Sequence, residues 1–207
     1  MTKEKLIQIL INDGYLKTPG IIDAFKKIDR GDFLPESEKE RAYENIALPI
    51  GYEQTISQPL TIAFMFELLE PKSGEKILDI GSGSGWTVAL LSEIVGNSGK
   101  VFGIERIPEL AKFSKNNISK LNIKESNAAE IVEGDGSEGY EKEAPYDKII
   151  SAAAAKEIPS AWKNQLKIGG LIVSPINHSI VRLEKKSANE FEKKEYFGFN
   201  FVPLIIG

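Results

Sequence analysis

The sequence predicts an α/β protein built around a doubly wound, mostly parallel sheet. From about residue 60, short apolar segments typical of buried strands alternate with segments typical of helices. This alternation implies parallel strands covered by helices on both faces. A glycine-rich segment, 81–85, separates the first of these strands from the next helix. Near the C-terminus two strand-like segments follow each other without a helix, which predicts an antiparallel hairpin at the edge of the sheet.

The first 59 residues are predicted to form a helical extension followed by a long loop. Thr2 can cap a first amphipathic helix that runs to about Asp13. Thr18-Pro19 reads as the cap and first position of a second helix, which we expect Gly31 to end. Residues 32–59 show no clear periodicity and contain three prolines. Loops of this length are usually either functional or disordered, and the apolar content of AYENIALPIG (42–51) argues against disorder. The segment is therefore predicted to be an ordered loop or lid.

The remaining residues carry the alternating pattern. The predicted helices are LTIAFMFELL (60–69), TVALLSEIV (87–95), PELAKFSKNNISKL (108–121) and IPSAWKNQL (158–166). The predicted parallel strands are KILDI (76–80), KVFGIE (100–105), AEIVEGD (129–135), YDKIISAAA (146–154) and GLIVSPI (170–176). SIVRLEKK (179–186) and KEYFGFNFVPLII (194–206) are the two hairpin strands. We expect Trp86 and Trp162 to lie in the core.

Composition limits the chemistry that the chain can carry out. It has 207 residues, of which 42% are hydrophobic and 27% are charged, enough for one domain with a substantial core. It contains no cysteine and one histidine, His178, which we interpret as a turn residue. Thiolate zinc sites, histidine metal clusters, cysteine nucleophiles and disulfide scaffolds are thereby excluded. We predict no metal site.

Net charge and hydropathy indicate which kinds of partner the protein binds and in which compartment it is found. The net charge of −4 is unfavourable for a general nucleic-acid binder, which needs cations for phosphate contacts. No apolar run approaches the roughly 20 residues of a membrane-spanning helix. The first residues are interrupted by charges and lack the pattern of a signal peptide. We therefore expect a cytoplasmic protein that binds neither nucleic acid nor membrane. We also expect a monomer, although these observations do not bear on the oligomeric state.

The strongest local signal is the segment LDIGSGSGW (78–86), between a strand and a helix. Glycines let a backbone turn tightly and approach a ligand, although the same pattern also occurs in plain strand-to-helix turns. Glu105 ends the next strand, from which a carboxylate accepts hydrogen bonds from ribose hydroxyls in nucleotide-binding folds. The loop lacks the spaced third glycine typical of NAD sites. These features favour S-adenosylmethionine over NAD.

A Gly-Asp-Gly segment, 134–136, closes the third predicted strand and supports the same cofactor. Asp135 can accept a hydrogen bond from an adenine amino group, while Gly136 leaves room for the ring. Asp135 taken alone could equally be a turn residue. Because ligands of open α/β folds bind at the carboxyl edge of the sheet, we expect the three strand ends to form one cofactor cleft.

Together these motifs resemble the protein-L-isoaspartate O-methyltransferase family. The similar segments are AFKKIDRGDFLP (24–35), GYEQTISQP (51–59), LDIGSGSGW (78–86), GIE (103–105), GDG (134–136), APYDKIISAAAAKEIP (144–159), QLKIGGLIVSP (165–175) and FVPL (201–204). The glycine loop is shared by many methyltransferases, whereas QTIS followed by proline is much more specific. The resemblance covers nearly the whole chain.

The resemblance implies a class I S-adenosylmethionine-dependent methyltransferase fold. Its single domain, 1–207, divides into a helical N-terminal extension with an active-site loop (1–59) and a Rossmann-like core (60–207). The implied substrates are isoaspartyl-containing proteins and peptides. Methylation of the free α-carboxylate initiates their repair through a succinimide. The implied catalytic residue is Ser57. The implied cofactor-binding residues are Thr55, Ile56, Ser57, Asp79, Gly81, Ser82, Gly83, Glu105, Arg106, Asp135 and Gly136.

Some residues depart from the family pattern, and alternatives stay open. Leu60 stands where many members have histidine, and Ala152 and Lys156 stand where threonine and proline are usual. Ser57 could instead cap the helix that begins near residue 60. The alternative functions are a related carboxylate O-methyltransferase acting on a specific peptide aspartate, and an S-adenosylmethionine-binding adaptor with weak or no turnover.

Overall fold

A computed structural model describes residues 1–121, 128–199 and 201–204. It begins with two short helices, α1 (Lys3–Asn12) and α2 (Pro19–Lys27). The Thr2 hydroxyl accepts a hydrogen bond from the Lys5 amide at 3.3 Å, so the predicted cap of α1 is confirmed. The prediction that α2 continues to Gly31 is wrong. The Asp29 side chain accepts from the amide of Gly31 and starts a separate 3-10 turn there.

The predicted loop 32–59 contains a small hairpin that sequence reasoning missed. Its strands are β1 (Leu48–Gly51) and β2 (Gln54–Ile56), which pair antiparallel. Tyr52 and Glu53 connect them with φ values of 54° and 58°. Hairpin turns with positive φ usually carry asparagine or glycine. Because these two residues are neither, the usual sequence signal for the turn is absent.

A seven-stranded sheet forms the centre of the protein. Its strands are β3 (Lys76–Ile80), β4 (Lys100–Glu105), β5 (Ala129–Glu133), β6 (Tyr146–Ser151), β7 (Leu166–Ile176), β8 (Ser179–Lys185) and β9 (Phe191–Phe197). They lie in the order β5-β4-β3-β6-β7-β8-β9. The first five are parallel, and β8 runs antiparallel to both of its neighbours. The predicted fold class and edge hairpin are confirmed.

The end of the chain differs from the predicted strand 194–206. Strand β9 ends at Phe197 because Gly198 adopts a φ of 96°, and its amide donates to the His178 carbonyl in the β7–β8 turn. Residues 201–204 then lie against Ala154, whose amide donates to the Val202 carbonyl at 2.8 Å. The predicted strand residues at 205 and 206 lie outside the described residues.

Four further helices, α3 (Pro59–Leu69), α4 (Trp86–Val95), α5 (Pro108–Lys120) and α6 (Ser160–Gln165), accompany the strands. One buried cluster packs α1 to α5 against one face of the sheet, and a second surrounds Trp162 on the other face. Trp86 and Trp162 are both buried, as predicted. Among the described residues, no helix combines the length and apolar character needed to cross a membrane.

Candidate active site

A cavity of about 410 Å³ opens at the carboxyl edge of the parallel strands, and we call it the edge cavity. Nine predicted site residues line it: Thr55, Ile56, Ser57, Gly81, Ser82, Gly83, Glu105, Arg106 and Gly136. Its volume lies within the range of about 300–1,000 Å³ that is usual for small-molecule sites. The fold thus brings residues from the N-terminal hairpin and from three strand ends to one place.

The glycine loop after β3 turns back onto the neighbouring strand. The amides of Gly81 and Ser82 donate to the Ile104 carbonyl at 2.8 and 3.0 Å, which fixes the loop to the end of β4. Gly81 and Gly83 have φ values of 73° and 55°, conformations that residues with side chains rarely adopt. This part of the cavity wall is therefore backbone, which a ligand can approach closely.

Glu105 lies at the end of β4 and is 6% exposed. Its Oε2 accepts from the Gly83 amide at 2.8 Å, and its Oε1 accepts from the Ile107 amide at 2.9 Å. A carboxylate has about four lone-pair positions, so each oxygen keeps capacity for another donor. Glu105 both holds the glycine loop and presents acceptors to the cavity.

Asp79 does not line the edge cavity, although the resemblance includes it among the cofactor residues. It is 1% exposed and accepts a hydrogen bond from the Thr87 hydroxyl. Its other oxygen, Oδ1, is buried and has no hydrogen-bond partner in the described part of the chain. Burial raises the pKa of Asp79 to about 7; the Thr87 hydrogen bond opposes the rise, and the nearby Glu105 charge adds to it.

Asp135 and Gly136 occupy the turn after β5. The Asp135 side chain accepts from the Ser137 amide at 2.9 Å, which is the turn role that sequence left open, and Asp135 does not line the cavity. Gly136 does line it. A side chain at Gly136 would place its Cβ 2.6 Å from Ile80 Cγ2, so only glycine fits against this wall. Its carbonyl accepts from Trp162 Nε1 at 2.8 Å.

Ser57 lies between β2 and α3 and lines the cavity. The alternative that Ser57 caps α3 is wrong: the cap position belongs to Gln58, and Ser57 Oγ forms no hydrogen bond within the described residues. The Leu60 amide, which lies in the first turn of α3, donates to Asn45 Oδ1 at 3.0 Å. Asn45, and not Ser57, therefore supplies the side-chain acceptor at this end of the helix. The Ser57 hydroxyl is therefore available to a ligand.

Sequence reasoning missed several residues of the cavity wall. Trp86 was assigned to the core alone, yet it also lines the cavity, and its Nε1 is buried with no partner in the described residues. Thr61 and Thr87 line it from the first turns of α3 and α4, and residues 201–204 close another side. The position of Trp86 directly after the glycine loop was a usable signal. Nothing in the sequence marked Thr61 or Thr87 as cavity residues.

Comparisons with known proteins identify the family. The profile described as protein-L-isoaspartate(D-aspartate) O-methyltransferase matches residues 1–207. A protein-L-isoaspartate O-methyltransferase of Methanopyrus kandleri is 40% identical over 207 residues, covering 98% of this chain and 91% of the relative. Protein-L-isoaspartate O-methyltransferase 2 of Archaeoglobus fulgidus is 45% identical over 187 residues, covering 89% and 84%.

Solved structures agree with this result. A protein-L-isoaspartate O-methyltransferase structure superimposes with a TM-score of 0.88 at 30% identity, covering 98% of this chain and 65% of that one. A Plasmodium falciparum protein crystallised with S-adenosyl-L-homocysteine gives the same TM-score at 23% identity, covering 99% of both chains, and shares the fold. Given the full-length profile match and the sequence relatives, the chain belongs to the protein-L-isoaspartate(D-aspartate) O-methyltransferase family.

Proposed function

We propose that this protein transfers a methyl group from S-adenosylmethionine to the free α-carboxylate of L-isoaspartyl residues in damaged proteins and peptides, which initiates repair through a succinimide. One observation carries the proposal beyond family membership. A single cavity is lined both by the family-specific segment 55–57 and by the glycine loop with Glu105. The residues suited to a substrate carboxylate and those suited to a nucleoside thus share one pocket.

The cavity wall fits the proposed cofactor. Glu105 retains acceptor capacity for ribose hydroxyls, and the glycine loop offers a close approach along its backbone. Ser82 Oγ and Trp86 Nε1 lie buried in the wall with no hydrogen-bond partner in the described residues. Buried polar groups are normally hydrogen-bonded, so a polar ligand would satisfy them. Bound S-adenosylmethionine would supply an electrophilic methyl group on a cationic sulfur.

The chain's own residues then have a limited task. An ionised carboxylate is already a nucleophile, so no general base is needed to activate it. Ser57 Oγ donates a hydrogen bond to one carboxylate oxygen and orients the other toward the methyl carbon, and such alignment lowers the barrier to transfer. Segment 201–204 and Ala153 contribute largely apolar side chains to the lining of the cavity. A dry site favours a reaction in which opposite charges disappear.

The departures from the family pattern differ in where they lie. Ala152 lines the edge cavity, so the hydroxyl of the usual threonine is absent from the site itself. Leu60 and Lys156 are not part of the cavity lining. We therefore expect Ala152 to affect substrate recognition more than the other two.

The experiment is incubation with S-adenosylmethionine labelled in its methyl group and with paired peptides that differ only in an isoaspartyl or aspartyl residue. We expect methyl ester on the isoaspartyl peptide alone, followed by succinimide detected by mass spectrometry. Equal labelling of both peptides would favour the related carboxylate methyltransferase. Binding of S-adenosylhomocysteine without labelling of either peptide would favour the adaptor. Both results would reject the proposal.

A further inference from the structure

Arg30 is a buried cation that the proposed chemistry does not use. It begins the 3-10 turn Arg30–Phe33 and is 3% exposed. Burying a charge is costly unless hydrogen bonds compensate for it. No carboxylate is within salt-bridge distance of this guanidinium among the described residues. Its environment therefore has to stabilise the charge by other means, and that environment leads to Ser57.

The guanidinium donates to four backbone carbonyls. Nη1 donates to Ala42 O at 2.7 Å and to Glu44 O at 3.4 Å. Nη2 donates to Ile46 O at 2.9 Å and to Ser57 O at 3.1 Å. Three acceptors belong to the segment 42–46 and the fourth to the cavity wall. One planar group thus ties the carbonyl of Ser57 to a segment that lies more than ten residues earlier in the chain.

The same guanidinium contacts the other side of the site. Arg30 Cζ lies 5.3 Å from the centroid of the Trp86 ring, a distance at which a cation is attracted to an aromatic face. Trp86 follows the glycine loop and lines the cavity. Burial lowers the pKa of Arg30 to about 10, so the group remains charged at neutral pH. Arg30 therefore contacts both Ser57 and Trp86, which directly follows the glycine loop.

We propose that Arg30 is a positioning residue for methyl transfer: through Nη2 it sets the place of Ser57 in the edge cavity, and turnover depends on it although it does not line the cavity. The inference rests on the proposed function, in which Ser57 orients the substrate carboxylate. Lysine cannot replace arginine here, because an ammonium has three donors and lacks the planar fork that reaches four carbonyls.

Loss of Arg30 should displace Ser57 without unfolding the loop. Gln58 Nε2 donates to Asn45 O at 2.8 Å, and Leu60 N donates to Asn45 Oδ1, so the two segments keep other links. Misplacement by about 1 Å can cost roughly a hundredfold in rate. We therefore expect Arg30→Lys to lower kcat/KM for an isoaspartyl peptide by roughly ten- to a hundredfold, while S-adenosylhomocysteine affinity stays within about threefold.

Arg41→Lys is the matched control, since Arg41 lies directly before the segment 42–46 and its guanidinium pairs with the carboxylates of Glu38 and Glu44 rather than with Ser57. Both variants are compared with the parent for kcat, KM, S-adenosylhomocysteine affinity and melting temperature, at a temperature where all are folded. A lower melting temperature with unchanged kcat/KM per folded molecule would make Arg30 merely structural and overturn the inference. Equal losses in Arg30→Lys and Arg41→Lys would also overturn it.

Two further measurements test the route through Ser57. In a Ser57→Ala background, Arg30→Lys should change turnover by less than about threefold, because the Ser57 hydroxyl that Arg30 positions is already absent. Additive losses would show that Arg30 acts on turnover by a route other than Ser57.

Hydrogen exchange of the ligand-free Arg30→Lys variant is a readout independent of activity. Compared with the parent, exchange should be faster in 42–47 and 54–60 and unchanged in β4. An unchanged pattern in 54–60 would contradict the positioning role. A parent that fails to methylate the isoaspartyl peptide would instead reject the proposed function, and the kinetic role of Arg30 with it.

Discussion

The edge cavity has two walls that are built in different ways. The loop wall, residues 81–83 with Glu105, comes from consecutive elements: strand β3 turns into helix α4, and the turn is bonded to the adjacent strand β4. The serine wall, residues 55–57, comprises the end of the three-residue strand β2 and Ser57, whose carbonyl is held by Arg30, 27 positions earlier. The loop wall is therefore fixed by bonds between two neighbouring strand ends of the central sheet. The serine wall is held by Arg30, which lies outside β2 and α3, with further links through Asn45. We expect substitutions in the loop wall to change cofactor binding, and substitution of Ser57 in the serine wall to change turnover.

Glu105→Ala should have the largest effect on the loop wall. It removes the proposed ribose acceptors and leaves the amides of Gly83 and Ile107 without their partner. Charge-assisted hydrogen bonds contribute about 1.5–3 kcal/mol, so S-adenosylhomocysteine affinity should fall by roughly ten- to more than a hundredfold. Calorimetric titration measures it. Glu109→Ala, an exposed carboxylate on α5, is the control. Unchanged affinity in Glu105→Ala would remove Glu105 from the site.

Ser57→Ala should lower turnover while S-adenosylhomocysteine affinity stays within about threefold. One hydrogen bond and the orientation it provides are worth about 1–3 kcal/mol, or roughly ten- to a hundredfold in kcat. The melting temperature should stay nearly constant, since Ser57 does not cap α3. A loss of cofactor affinity as large as that of Glu105→Ala would erase the distinction between the two walls.

Asp79, behind the loop wall, should make stability depend on pH. Its pKa is about 7 in the folded protein, against an ordinary value of 3.8. Between these values the folded state holds a proton that the unfolded chain has released, so stability falls as pH rises and levels off above about pH 7.

Asp79→Asn should remove this dependence. The free energy of unfolding of Asp79→Asn relative to that of the parent should therefore rise from pH 4 to 7. We expect a rise of about 1–2 kcal/mol, which is less than the full pKa difference implies because buried sites relax. Urea unfolding of the ligand-free protein at several pH values measures this. Asp147→Asn gives a control of opposite sign: burial alone would raise the pKa of Asp147, but hydrogen bonds from Lys167 and the Lys76 amide outweigh burial and lower it. A parallel pH response in the parent and Asp79→Asn would contradict the prediction.

Asn45→Ala should have the smallest effect of these substitutions. It tests how much Asn45 contributes to holding the serine wall in place. It removes the acceptor for the Leu60 amide at the start of α3, which should cost about 1 kcal/mol of unfolding free energy, as for a helix cap. Turnover should fall less than about threefold, since Arg30 still holds Ser57. Asn45→Asp keeps the acceptor oxygen and should restore stability. A kinetic loss as large as that of Arg30→Lys would make Asn45 the dominant support instead.

Much of the fold could be predicted because its signals are local. The alternation from residue 60 onward predicted the parallel strands and the edge hairpin correctly, and the glycine-rich segment marked the turn after β3. The hairpin at 48–56 was missed because its turn lacks the usual residues. The strand predicted for 194–206 was misplaced because Gly198 and the turn at His178 end β9 early, a contact between segments that are distant in sequence.

For the site, the sequence by itself determined the residue types and the family, and with them nine residues of the cavity lining. Only the tertiary structure decided that Asp79 lies behind the loop, that Asp135 holds a turn, and that Trp86 faces the cavity. It also decided which contact holds Ser57. Strand, turn and helix follow from neighbouring side chains, whereas the acceptors of Arg30 are backbone carbonyls, which every residue carries. Because no side chain marks these acceptors in the sequence, only the folded structure shows which carbonyls Arg30 binds.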